Sequence, residues 1–257
     1  MTEATESVPV VLLHGVGLDR TMWGPVVDLL DAAGLQVEAL DLPGHGGQPP
    51  LRRPTDLAEM AQNVVERISE TRVHLVGFSL GALVAQRIAV DHPDRVVTLT
   101  CISTVCRRTD EESAAVRRRL ETAGEDFATG VDRALDRWYP PEAAVSDAQR
   151  QATRATLLAN DRQSYLHAYA VFATGDQQIA PDLHRIHAPT LAVTGELDPG
   201  STPEMTHRLA TAVPHGRAVV VPGVRHMLPA ERPEVLVEHL QHHLASSEQH
   251  PEGAHHG

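Results

Sequence analysis

Short apolar, β-branched runs separated by longer amphipathic segments are the feature that most restricts how this chain can fold. Val8–Leu13, Gln36–Leu40, Val73–Val76, Val96–Ile102, Pro189–Val193 and Arg217–Val221 read as strands. Between and after them, Thr21–Ala33, Thr55–Glu70, Leu80–Asp91, Pro203–Ala212 and Glu231–Leu244 carry apolar residues at helical spacing, with Thr55 as an N-cap. Strands of this kind, bounded by turn signals and alternating with helices, predict an α/β fold. Its central sheet is mostly parallel and has helices on both faces.

The alternation breaks once. From Cys106 to Leu183 there is no convincing strand, only the charged amphipathic segments Glu111–Leu120, Phe127–Trp138, Asp147–Asn160 and Arg162–Phe172. A helical block inside an α/β pattern reads as an inserted cap over the sheet; the alternative is extra helices packed at its side. The chain then divides into a core of residues 8–105 and 184–245, a helical cap of 106–183, and a polar, His-rich tail of 246–257 expected to be disordered. A cap in this position hangs over the C-terminal ends of the strands, where open α/β sheets bind ligands. It would set substrate preference while the core supplies the chemistry.

Gly77-Phe78-Ser79-Leu80-Gly81 matches G-x-S-x-G, and its context gives the match its weight. It follows the strand Val73–Val76 and opens the helix Leu80–Asp91, the setting in which a sharp turn presents a serine hydroxyl at a helix N-terminus. A hydroxyl is a poor nucleophile until a base takes its proton. Where a serine is presented this way, an acid and then a histidine follow along the chain. Of 16 histidines, His226 lies where the base belongs, after the strand Arg217–Val221 and before a helix. The loop after Leu191–Thr194 offers Glu196 and Asp198 as the acid, and Asp198 is favoured because it is farther from the strand end. The exit of Val96–Ile102 is Ser103-Thr104, so an acid is not expected there. The backbone N–H groups of Leu80 and Val16, the latter in His14-Gly15-Val16-Gly17, are the candidates for an oxyanion hole.

Composition removes other chemistries. The 22 basic residues are all arginine. Without a lysine there is no Schiff base, Ser–Lys dyad or Walker A loop, since a guanidinium does not deprotonate at working pH. A net charge of -12 disfavours nucleic acid and anionic membranes as partners. Cys101 and Cys106 do not make a disulfide framework. No signal peptide or apolar stretch of spanning length is evident, which makes a cytoplasmic protein the expectation. His239, His242 and His243, with His250, His255 and His256, read as a solvated face and tail rather than a metal site. No cofactor and no metal is expected.

His14-Gly15-Val16-Gly17, Asp41-Leu42-Pro43-Gly44-His45-Gly46, Gly77–Gly81, Gly195–Asp198 and Arg225-His226-Met227 agree in order and spacing with one family. On them, nearly the whole chain resembles the α/β-hydrolase family, and the 3-oxoadipate enol-lactonase-like branch in its compact cap and His-Gly opening. The family usually begins with a two-stranded hairpin; few residues precede Val8, so that hairpin is expected absent or truncated. The resemblance implies a serine hydrolase with a Ser79–His226–Asp198 triad that cleaves a carboxylic ester, lactone or thioester of a small molecule through an acyl-enzyme. Haloalkane dehalogenases and epoxide hydrolases carry aspartate at the turn, and hydroxynitrile lyases use a lysine. A cofactor-free perhydrolase, an acyltransferase, a biosynthetic cyclase or an idle ligand receptor on the same scaffold remain alternatives. Trp138 and Phe172 are candidates for the substrate pocket. So is Arg107 as reader of a substrate carboxylate, alongside Arg108, although solvent exposure is the favoured reading for both arginines.

Overall fold

The computed structural model describes residues 8–143 and 145–248. Its strands are β1 (Val10–Leu13), β2 (Val37–Leu40), β3 (Val73–Phe78), β4 (Val96–Ile102), β5 (Thr190–Gly195) and β6 (Gly216–Val221). The helices are α1 (Gly24–Ala32), α2 (Leu57–Arg67), α3 (Leu80–Asp91), α4 (Asp110–Glu125), α5 (Phe127–Trp138), α6 (Asp147–Ala159), α7 (Arg162–Ile179), α8 (Pro203–Ala212), α9 (Leu228–Glu231) and α10 (Pro233–Glu248). The six strands form one sheet in the order β2-β1-β3-β4-β5-β6, and every pairing is parallel. The arrangement is the parallel α/β sheet with helices on both faces that the sequence predicts.

The chain leaves β1 toward one edge and returns to β3 on its other side, so the order reverses between β1 and β3. Right-handed crossovers then put α1, which leads outward to β2, on the face opposite α3 and α8. In agreement, α1 packs with α10, while α3 packs with α2 and α7. β1, β3 and β4 are buried almost throughout, with Leu12, Leu13, Leu75, Phe78 and Leu99 excluded from solvent. Ligands of such sheets bind beyond the carboxyl ends of the strands at the point of reversal, here the exits of β1 and β3.

Helices α4–α7 fill the connection between β4 and β5, with no strand among the described residues. α4 and α6 each start with a capping box, Thr109 with Glu112 and Ser146 with Gln149, the spacing that satisfies two orphan N–H groups reciprocally. Side chains of the block fasten it to the core loops. The Asn160 amide donates to the Gly17 carbonyl at 2.8 Å. The Ser164 hydroxyl donates to the Gly44 carbonyl and accepts from the Leu51 N–H, both at 2.9 Å. At the root of the block, the enclosed Arg108 guanidinium meets Asp176 at 2.7 Å, and the same carboxylate accepts the Arg108 N–H at 2.8 Å.

Several boundaries differ from the sequence expectation for local reasons. The helix expected from Thr21 begins with a 3-10 turn, Arg20–Trp23, capped by Asp19. Asp56, not Thr55, caps α2: its carboxylate accepts the Glu59 N–H at 2.8 Å, while the Thr55 hydroxyl donates to the Glu59 side chain. The last helical segment breaks at Arg232, which leaves the helical region (φ −145°, ψ 60°) because the following proline disfavours an α conformation there. α10 reaches Glu248, so residues 246–248 are helical rather than disordered. The rest of the tail, with His250, His255 and His256, and the segment where an opening hairpin would fall lie outside the described residues. Among the described residues no helix is long and apolar enough to cross a membrane.

The first turn of α3 lies on the exit of β1. A Cβ on Gly81 would sink into the Leu13 and His14 carbonyl oxygens. Gly81→Ala therefore has to push the helix off the strand, an overpacking cost of about 1–3 kcal/mol. Gly124, in α4, has open space where its Cβ would stand. Gly124→Ala should gain about 0.5–1 kcal/mol from helix propensity and a less free unfolded chain. Thermal melts should move in opposite directions, down by several degrees for Gly81→Ala and up for Gly124→Ala; a shared direction would contradict this packing.

Candidate active site

Ser79 stands between β3 and α3 with φ 53° and ψ −112°, a conformation that costs a non-glycine residue about 1–3 kcal/mol. The surroundings enforce it. The Ser79 N–H donates to the Ile102 carbonyl at 2.9 Å, tying the turn to the end of β4. Gly77 faces the backbone of Gly81 and Ala82 with no room for a Cβ. Gly15 presses on the same turn: a Cβ there would come within 2.9 Å of the Phe78 ring and 3.3 Å of the Ser79 Cβ. The result is a nearly enclosed serine, 3% exposed, at the head of a helix.

His226 and Asp198 come from the exits of β6 and β5, which are adjacent strands. His226 Nδ1 meets Asp198 Oδ2 at 2.7 Å. The other carboxylate oxygen, Oδ1, accepts the N–H groups of Gly200 and Ser201 at 2.9 Å each, so two backbone donors hold Asp198 while its second oxygen faces the ring. The imidazole lies between aromatic faces, stacked on Trp138 at 5.5 Å and 25° and tilted against Phe78 at 5.0 Å. The Ser103 hydroxyl donates to the His226 carbonyl at 3.0 Å and so holds the loop from behind. Glu196 makes no contact with the ring; its carboxylate accepts the Gly223 N–H at 2.9 Å near the surface.

Ser79, Asp198, His226 and Val16 line one pocket, together with Trp138 and Phe172. Tyr165 and Tyr169 of α7 complete its aromatic wall, and burial pushes the Tyr165 phenol up. The Leu80 N–H, at the first position of α3, and the Val16 N–H have no hydrogen-bond partner among the described residues. Both are the kind of backbone donor that stabilises an oxyanion.

Arg107 is not in this pocket. The chain turns through φ 46° at Arg107, whose side chain is exposed and whose carbonyl accepts from Arg208. Arg108 is enclosed and answered by Asp176, with its guanidinium 4.7 Å from the Phe172 ring centre. The guanidinium groups that do line the pocket belong to Arg119 and Arg137. Read as surface charge, they escape notice, yet Arg119 is three residues after the buried Val116 and four before the buried Ala123, on the inward stripe of α4. Arg137 is likewise three residues after the buried Ala134. His243, expected on a solvated face, is buried against β4 with Nε2 3.2 Å from the Leu99 carbonyl.

The loop below the pocket rests on a buried histidine. His14 Nδ1 donates to the Gly15 carbonyl at 2.7 Å and Nε2 accepts the Leu42 N–H at 2.9 Å, which fixes one neutral tautomer and joins the exits of β1 and β2. Burial lowers its pKa to about 4. Burial also lowers His45, at 5.1 Å edge-on to His14, to about 3, and His74 to about 4.

Residues 10–239 match the model of a family described as the alpha/beta hydrolase family. An (E)-2-((N-methylformamido)methylene)succinate hydrolase from Acinetobacter baylyi is 31% identical over 242 residues, covering 93% of this chain and 91% of its own. A pimeloyl-[acyl-carrier protein] methyl ester esterase from Edwardsiella ictaluri is 32% identical over 235 residues, 87% of this chain and 88% of its own. Among solved structures, the enol-lactonase from Burkholderia xenovorans shares the fold with a TM-score of 0.81 at 23% identity, over 95% of this chain and 94% of its own.

The three buried histidines give the fold a pH dependence with a definite sign. Each is neutral in the native state, because burial depresses its pKa from the usual 6.5. The unfolded chain takes up those protons first, so their contribution is intact above about pH 6.5 and is lost as pH falls toward 4. Each such histidine adds a slope of about 1.4 kcal/mol per pH unit in that window. Urea unfolding between pH 7 and 4.5 should show this loss, and His14→Gln should make the slope shallower by one histidine's share. An unchanged slope in that variant would mean that His14 is not held neutral.

Proposed function

The chain belongs to the alpha/beta hydrolase family, and from that premise we propose that it is a serine hydrolase cleaving a carboxylic ester, lactone or thioester of a small molecule through an acyl-enzyme. The observation that carries this reading is the 2.7 Å contact between His226 Nδ1 and Asp198 Oδ2. It holds the proton on Nδ1 and leaves Nε2, in a pocket shared with Ser79, free to act as a base.

In this reading His226 Nε2 takes the Ser79 proton as Oγ attacks the acyl carbon. Asp198 keeps the ring in the required tautomer and stabilises the imidazolium that forms. The N–H groups of Val16 and Leu80 receive the developing oxyanion; one such donor is typically worth about 3–4 kcal/mol. His226 then returns the proton to the leaving oxygen or sulfur, and water repeats the sequence on the acyl-enzyme. Residues 106–183 act as a lid, a reading supported by Trp138, Tyr165, Tyr169 and Phe172 in the pocket wall. That relatives are named as a hydrolase and an esterase favours hydrolysis over acyl transfer, perhydrolysis or ligand reception.

Hydrolysis of a panel of p-nitrophenyl esters, lactones and thioesters tests the roles. Ser79→Ala should lower kcat on the order of 10⁶-fold and abolish labelling by a fluorophosphonate. More than a hundredth of wild-type turnover left in that variant would exclude Ser79 as the nucleophile. Asp198→Asn should lower kcat by about 10⁴-fold through the wrong histidine tautomer. Glu196→Gln, which touches only the Gly223 N–H, should cost less than about ten-fold, since removing one exposed hydrogen bond is a small loss. Equal losses for the two would overturn the choice of acid.

A further inference from the structure

Two guanidinium groups face the pocket beside Ser79 with no acid to answer them. Arg119 of α4 and Arg137 of α5 line it from two different helices. Among the described residues neither makes an ion pair or a side-chain hydrogen bond, and Arg119 Nε is enclosed without a partner. Other guanidinium groups in and around the block are answered: Arg108 by Asp176, Arg208 by Glu112, Arg225 by Glu142. Asp198 shares the pocket but is engaged elsewhere: Oδ2 meets His226, Oδ1 accepts two backbone N–H groups, and among the described residues it makes no ion pair with either arginine. The Ser201 hydroxyl, also in the pocket wall, is a second enclosed polar group without a partner.

Placing two like charges together against aromatic walls is unfavourable unless an anion joins them. Burial weakens the charged form of Arg137, and the neighbouring Arg119 weakens it further. Solubility does not account for the pair, because in a chain of net charge -12 these cations point into a cavity rather than toward solvent. The chain's overall charge repels an anionic substrate at long range, so an anion that binds beside Ser79 needs positive charge supplied locally. Guanidinium forks are matched to carboxylates, with two parallel N–H donors for two oxygens.

We propose that Arg119 and Arg137 form a subsite for a free carboxylate on the substrate, so that the compound hydrolysed is the ester, lactone or thioester of a molecule carrying a second acid group. For its reaction this rests on the serine chemistry proposed above; for binding it does not. In the bound state the carboxylate lies between the two guanidinium groups, and the acyl carbon reaches Ser79 across the aromatic wall. Arg119 and Arg137 are then specificity residues that touch the substrate away from the reacting atoms.

Half-methyl esters of succinate, glutarate and adipate, each compared with its dimethyl ester, test the subsite. The readout is the ratio of kcat/KM for half-ester over diester. In the wild type at least one ratio should exceed ten, carried by a lower KM for the half-ester. Arg119→Gln and Arg137→Gln should each reduce that ratio by about ten-fold or more, the usual loss for a hydrogen bond to a charged group. Arg137→Lys should keep part of it. Calorimetry provides an arm that needs no turnover: the free dicarboxylate should bind wild type, bind Ser79→Ala equally, and fail to bind the double Gln variant. If a fluorophosphonate does not label Ser79, the serine reading falls, yet dicarboxylate binding would still support the subsite. If Ser79 labels and no half-ester is preferred, or the preference survives both substitutions, the subsite is overturned. Inorganic phosphate binding as tightly as the dicarboxylate would overturn the assignment to a carboxylate. Loss of half-ester and diester turnover in equal measure would assign the arginines to structure alone.

Discussion

Backbone approaching backbone more closely than any side chain permits decides where this molecule can do chemistry. The head of α3 rests on the exit of β1 at Gly81, and Gly77 closes the turn from beneath. The same device recurs across the sheet. At the end of β5, a Cβ on Gly195 would overlap the carbonyl oxygens of Val224 and Arg225, the residues that lead into His226. The Glu196 and Leu197 N–H groups donate to the Val221 and Val224 carbonyls at 2.9 and 2.8 Å, locking the exits of β5 and β6 together. One close approach fixes the serine, and the other fixes the acid and the histidine relative to each other. Parallel register from β3 through β4 to β5 and β6 carries the two fixed points to the same end of the sheet.

Those constraints act between near neighbours in the chain, and this is why so much of the site is legible in the sequence. A turn between a buried strand and a buried helix leaves few residue types available at Gly77, Ser79 and Gly81, so the motif and its context can be read together. Asp198 and His226 follow from the loops that end consecutive strands. What the sequence conceals is depth within the helical block. Arg119 sits in an Arg-rich stretch of α4 that looks like a solvated face, and only its place on the stripe of Val116 and Ala123 turns it inward. His243 is hidden in the same way on α10, where the composition of the tail suggests solvent. Long amphipathic side chains bury their stems and present polar ends at positions that composition alone cannot assign. Arg107 and Arg108 show the converse. Strand order suggests the mouth of the pocket for both, but the chain turns left-handed at Arg107 and Asp176 answers Arg108, and neither lines the pocket.

The electrostatic layout follows from burial as much as from charge count. His14 and His45, packed under the Val16 loop, are kept neutral at ordinary pH by desolvation, so they place no positive charge beneath that loop. Asp41 is held ionised by the N–H groups of Arg20 and Gly47, outweighing the burial that opposes it, and braces the Gly-rich turn beyond β2. Positive charge without an ion-pair partner among the described residues is found instead in the helical block, at Arg119 and Arg137. Backbone donors from the core and guanidinium groups from the helical block thus meet in one pocket.

The contact between Trp138 and His226 limits how separate the block and the core can be. A lid that only shaped a cavity would touch the substrate and leave the base alone. Here the last residue of α5 stacks its indole on the imidazole, with Phe78, the neighbour of Ser79, on another side. The ring is held by three agents: the Asp198 carboxylate at Nδ1, Phe78 from the core, and Trp138 from the block. Arg225, one residue before His226, extends the coupling by reaching Glu142 beyond α5 at 2.7 Å. Displacing α5 would remove an aromatic face from the histidine and expose it to water, loosening its orientation. The block and the core are therefore linked through one indole, and a sequence pattern that separates cap from core has no means of showing that link.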